Sequence, residues 1–115
     1  MRKLVIDRKK WLRGEGSAKS YLLRSDDEKM CCIGFLCLTY PKVTPEMLRG
    51  VSTVESLVDV AEGLRFPKWM LALPCEADIY KAYHINDNTG LSDADREQQL
   101  TKIFRRHRIQ AIFEG

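Results

Sequence analysis

No stretch of this 115-residue chain approaches the roughly 18 consecutive apolar residues that a membrane-crossing helix needs. Its longest uncharged run, Met30 to Pro41, is too short and ends in a proline. A membrane partner is therefore not expected. The four cysteines include no Cys-x-x-Cys pair, so the paired short loops that build tetrahedral zinc sites are missing and no metal site is assigned. A Gly-rich phosphate loop, a G-x-S-x-G elbow and an H-E-x-x-H helix are also absent, which removes the recognisable enzymes without removing enzymes as a class. No catalytic residue and no cofactor are assigned. Met1-Arg2-Lys3 meets charge before a signal-peptide apolar region can form, so a cytoplasmic address is the expectation.

Hydrophobic residues make up 44% and charged residues 30%, ordinary globular usage, so one folded domain over residues 1–115 is expected. By surface scaling such a chain buries about two-thirds of its unfolded surface and needs no disulfide staples. Cys31, Cys32 and Cys37 fall inside the uncharged run and read as reduced core thiols. The net charge of +3 hides an asymmetry: residues 1–50 carry +5, residues 51–100 carry −5 and residues 101–115 carry +3. Basic chain ends either pack near the acidic middle or present a basic face to an acidic partner.

Along the chain, Lys3 to Asp7 reads as a strand, Arg8 to Ser17 as a loop or single helical turn, and Tyr21-Leu22-Leu23 with Lys29 to Cys32 as a hairpin around Ser25 to Glu28. The uncharged run reads as a core helix entered at about Cys32. Thr44-Pro45 opens a short turn closed by Gly50, and Ser52 to Glu55 has capping-box spacing before the stripe Val54, Leu57, Val58 and Ala61. Phe66 to Pro74 crosses the core as a loop or short helix, and Ala77 to Ile85 suits helix and strand equally. Asn86 to Gly90 is predicted as a turn, Ser92 caps the clearest helix, and Ile109 to Phe113 closes as a strand. The expected architecture is α+β: a small antiparallel sheet, with N- and C-terminal strands paired, packed against three to four short helices.

Candidate chemistry is sparse. Pro74-Cys75-Glu76-Ala77 has the form of half a deaminase zinc signature without its second cysteine. A Cys/His nucleophile pair from Cys31, Cys32 or Cys75 with His84 or His107 has the residue types but no selecting spacing; His107 is explained equally by its place at a helix C-terminus. Arg2, Lys3, Arg8, Lys9, Lys10 and Arg13 surround Trp11, and Arg105, Arg106 and Arg108 cluster near the other end. Paired terminal strands would join these into a basic patch, the basis of a nucleic-acid-binding reading, against which stands a solvated face. Asn86-Asp87 suits a binding loop or a plain turn.

Trp11-Leu12-Arg13-Gly14, Tyr21-Leu22-Leu23 and Lys29 to Cys37, with Cys31-Cys32-Ile33-Gly34-Phe35-Leu36 at its centre, resemble small bacteriophage, prophage and other mobile-element proteins. These share a W-x-R-G loop, a C-C-[LI]-G-[FV]-L core segment and a later Asn-Asp pair, and have no assigned activity; residues 41–76 have no counterpart among them. The resemblance implies a small non-enzymatic accessory protein that binds a host protein or a small signalling nucleotide and inhibits a host defence system. Arg13, Asn86, Asp87, Arg105, Arg106 and Arg108 are then the contact candidates, and Trp11, Cys31, Cys32, Gly34 and Phe35 the structural ones. The alternatives are a nucleic-acid-binding module using the basic chain ends and a cysteine-dependent enzyme.

Overall fold

Strands occupy both ends of the chain in a computed structural model that describes residues 1–71 and 78–115. β1 (Arg2–Asp7) and β2 (Ile109–Glu114) bracket α1 (Cys32–Cys37), α2 (Pro45–Leu48), α3 (Val54–Val60), α4 (Asp78–Asp87) and α5 (Asp93–Arg106), with 3-10 turns at Ser17–Lys19 and Lys68–Leu71. The expected antiparallel sheet is corrected. β1 and β2 form a two-stranded parallel sheet, in a register running from Arg2 opposite Ile109 to Asp7 opposite Glu114, and five α-helices rather than three or four occupy the described residues. Parallel pairing needs only a crossover of a dozen residues or more, and the body of the domain, between Asp7 and Ile109, supplies it. Arg2 N–H donates to the Arg108 carbonyl at 3.1 Å and Arg8 N–H to the Glu114 carbonyl at 2.8 Å, fixing the register at both ends.

Alternation along β1 turns Leu4 and Ile6 into the core and leaves Val5 46% exposed. Burial of each inward side chain contributes about 1.5–3 kcal/mol. All six residues of α1 are buried, which explains a run without charge: this helix has no solvent face. It packs against α4 and β1, in one core that also holds Trp11, Ile79 and Ala82 of α4, and Leu100, Ile103 and Phe104 of α5.

Two caps follow from the sequence with one shift. Ser92 Oγ accepts from Asp95 N–H at 3.1 Å to open α5. Thr53, rather than Ser52, caps α3 by accepting from Ser56 N–H at 3.2 Å. The predicted hairpin is not built as strands. Arg24 N–H does close the turn on the Lys29 carbonyl at 2.8 Å, but Met30 pairs with the loop after β1, its carbonyl accepting from Leu12 N–H at 2.7 Å and its N–H donating to the Lys10 carbonyl at 2.9 Å.

The ambiguous segment is helical from Asp78, and the predicted turn at Asn86-Asp87 is corrected in turn: both residues belong to the last turn of α4. Ile79, Ala82 and Asn86 are buried at i, i+3 and i+7, so Asn86 occupies a core position of an amphipathic stripe. Phe66 to Leu71 lies against the core with Lys68–Leu71 as a 3-10 turn, while the rest of that segment, including Cys75 and the Pro74 to Ala77 motif, falls outside the described residues. No helix among the described residues is long and apolar enough to cross a membrane.

Candidate functional site

Asn86 is where the separate sequence motifs meet. Its Oδ1 accepts from the Trp11 indole N–H at 2.8 Å and from the Cys32 backbone N–H at 3.0 Å, and its Nδ2 donates to the Leu12 carbonyl at 3.0 Å and to Asp87 Oδ1 at 2.9 Å. The Asn86 backbone carbonyl accepts from Gly14 N–H at 2.8 Å. One fully buried amide thus ties the W-x-R-G loop and the first turn of α1 to the end of α4. With every side-chain polar group satisfied inside the protein, Asn86 is a structural residue of the free chain rather than an exposed contact.

The last carbonyls of α4 have no partners within the helix and would be costly to bury alone. Arg96, 2% exposed, covers them: Nη1 donates to the carbonyls of Ile85 at 2.8 Å, Asn86 at 3.2 Å and Asn88 at 2.8 Å, and Nη2 to that of Leu91 at 2.8 Å. A Cβ on Gly14 would come within 2.9 Å of Arg96 Nη2, and Gly14 also has φ +69°. Only glycine suits both demands.

On the outer side of this junction lies an open cleft of about 530 Å³. Its walls come from three separate segments: Gly16, Ser17 and Ser20 beside the first 3-10 turn, Ser52 and Thr53 at the start of α3, and Tyr83, His84, Asp87, Asn88 and Thr89 at the end of α4. Among the described residues, Asp87 is its one carboxylate, and neither lysine nor arginine lines it. Asp87 Oδ1 is held by Asn86 Nδ2, whereas Oδ2 has no partner among the described residues. Gly16 N–H donates to the Asp87 carbonyl at 2.9 Å, tying the serine-bearing loop to the carboxylate-bearing turn. The Tyr83 hydroxyl accepts from Val54 N–H at 3.0 Å, joining the third segment, and burial pushes the Tyr83 phenol up, so it stays protonated.

The other contact candidates are dispersed. Arg13 stacks its guanidinium over the Trp11 ring at 4.6 Å, donates to the carbonyls of Arg8 and Trp11, and pairs with Asp93 Oδ2 at 3.0 Å. That pairing holds the Asp93 carboxyl below the ordinary range. Arg8 grips Glu97 with two bonds of 2.9 and 2.8 Å. Arg105, Arg106 and Arg108 are exposed at the other end of the sheet, where Arg2 and Lys3 join them, while the parallel register sets the Arg8 to Arg13 part of the N-terminal cluster about 16 Å of strand away. Arg106 Nη1 and His107 Nε2 both meet Asp78, at 3.0 and 2.7 Å, and the His107 ring stacks on Trp69 at 4.0 Å.

Cys31, Cys32 and Cys37 are buried, as is Phe35. Burial pushes the Cys31 thiol up to about 12 and raises Cys32 and Cys37 as well. Thiols that burial holds protonated, Cys31 just before α1 and Cys32 and Cys37 within it, are packing groups rather than nucleophiles. In a Cys75→Ser protein, a small thiol reagent at neutral pH is expected to label none of the three until denaturant unfolds the chain; labelling of one thiol ahead of the unfolding transition would overturn the assignment.

Sequence reasoning missed Arg96, which looks like a surface arginine between Asp95 and Glu97, and missed the serine and threonine walls of the cleft. No local spacing signals either, because both depend on segments that only tertiary structure joins. Among the described residues, no group of three or more His, Cys, Asp or Glu stands together as a metal cage. No family model, curated protein or solved structure matches the chain.

Proposed function

We propose that this protein acts by binding rather than turnover, as a small accessory protein of a phage or mobile element, and that the cleft beside Asp87 takes its ligand. The observation that carries the reading is the Asp87 carboxylate: anchored on one oxygen, unpartnered on the other, and set in a cleft otherwise lined by hydroxyls, an amide and His84. A carboxylate in that setting accepts hydrogen bonds from a vicinal diol or an amino group. It repels phosphates, and among the described residues no lysine or arginine lines the cleft to offset that. The fitting class is the nucleoside end of a signalling nucleotide, with its phosphates outside in solvent. Sequestering such a signal is a route by which a binding protein inhibits a host defence.

Titration of the ¹⁵N-labelled protein with nucleosides and their 5′-phosphates tests this. Saturable shifts are expected at Gly16, Thr53 and Asn88. In Asp87→Asn the amide oxygen still accepts from Asn86, so the melting temperature is retained, while loss of a charged acceptor weakens binding about ten- to a hundredfold, or about 1.5–3 kcal/mol. Shifts confined to other surfaces, or unchanged affinity in Asp87→Asn, would sink the reading.

A further inference from the structure

A second concavity, of about 350 Å³, follows the seam between α4 and α5 on the far side of His84, which lines both. Ile85 and Ile103 are its apolar lining residues. Gln99, Lys102, Ile103 and Arg106 fall at i, i+3, i+4 and i+7 on α5, and Lys81 and Ile85 at i and i+4 on α4, so each helix contributes one continuous stripe. Lys81, Lys102 and Arg106 are exposed along it.

Charge is unbalanced here. Arg106 and Lys81 reach the same carboxylate, Asp78 Oδ1, at 3.0 and 3.7 Å, and His107 takes its Oδ2 at 2.7 Å, while Lys102 makes no ion pair among the described residues. One carboxylate thus meets two permanent cations and a histidine, and the third cation of the seam, Lys102, has no carboxylate partner among the described residues. The polar cleft on the other side of His84 carries the opposite sign, so the two sites select different partners.

We propose that this seam is a docking surface for a segment of a partner protein that is acidic and carries apolar anchor residues. Apolar side chains seat on half-buried Ile85 and the aliphatic stems of Lys81, Lys102 and Arg106, over Ile103, which is 3% exposed, and flanking carboxylates pair with the three cationic heads. The basic rim alone would suit a nucleic acid, but a phosphate backbone leaves half-buried Ile85 and the aliphatic stems beside it uncovered, whereas an acidic amphipathic segment satisfies both.

The probe is a fluorescein-labelled twelve-residue peptide with leucine and glutamate at helical spacing, followed by anisotropy. Saturable binding is expected, weakened about tenfold or more by Lys81→Glu/Lys102→Glu, whose exposed positions, with only the Lys81 to Asp78 surface pair lost, lower the melting temperature by no more than a few degrees. A peptide with serine for each leucine and the same charge is expected to bind at least about tenfold more weakly. Equal binding of the serine peptide, tighter binding of a single-stranded oligonucleotide lost in the same variant, or no binding at millimolar peptide would each overturn the proposal. The cleft's nucleoside binding is independent of these variants, so failure here leaves that reading standing.

Discussion

Gly34→Ala is expected to destabilise the protein by at least about 3 kcal/mol, or to prevent folding, although helix propensity alone favours alanine over glycine by about 1 kcal/mol. The steric argument decides the sign. A Cβ on Gly34 would lie 2.0 Å from the Leu22 carbonyl oxygen and 2.9 Å from its carbon, both backbone atoms that no rotamer change can move. Leu22 is fixed in turn, because its N–H donates to the Val51 carbonyl at 2.7 Å and its side chain is fully buried. Relief requires shifting α1, all of whose residues are in the core. Gly90→Ala is the control: the nearest atom to its Cβ is a side-chain oxygen of Asn88 at 3.3 Å, and a change below about 1 kcal/mol is expected. Urea unfolding followed by circular dichroism separates the two, and a Gly34→Ala protein as stable as the parent would refute the close approach.

That glycine shows what could be read from the sequence and what could not. A helix without charge announces itself as buried, and a glycine inside it announces a close contact, but the contacting carbonyl is known only from the structure. Strands β1 and β2, the cap of α5 and the stripe of α3 are local patterns and are legible as such. Strand direction is not local. Nothing in Leu4-Val5-Ile6 or Ala111-Ile112-Phe113 encodes parallel pairing, which is set by how the intervening chain returns after α5. Asn86 was misread for a related reason: Asn-Asp-Asn-Thr-Gly has turn chemistry, yet the buried stripe of α4 continues through Asn86 because Trp11, Leu12 and Cys32 bring it polar partners from elsewhere in the sequence. The cleft depends on the same convergence. Asp87 was visible as a polar residue beside a glycine, whereas Ser17, Ser20, Ser52 and Thr53 were not, since separate segments carry them.

Asn86→Ala carries the second large effect, a loss of about 3–5 kcal/mol against a typical total of about 5–15 kcal/mol. The Trp11 indole N–H, the Cys32 N–H and the Leu12 carbonyl all lose a partner in a buried place. Each such group costs about 1–3 kcal/mol, with sums reduced because the three share one site. The corresponding fall in melting temperature is about 10–20 °C. Asn86→Asp sharpens the test, because Oδ1 is retained for Trp11 and Cys32 while the donor to Leu12 and Asp87 becomes an oxygen. A buried carboxyl facing Asp87 has its pKa raised, so at neutral pH the variant holds a repelled charge, and its deficit shrinks as pH falls and the new carboxyl protonates. A pH-independent deficit in Asn86→Asp would show that the amide's donor is not what matters. The same substitution probes function from the opposite direction to Asp87→Asn: removing Asn86 frees Asp87 Oδ1 and unties the loops that carry the cleft's walls, so binding and folding fail together, whereas Asp87→Asn leaves the fold and removes the charge alone.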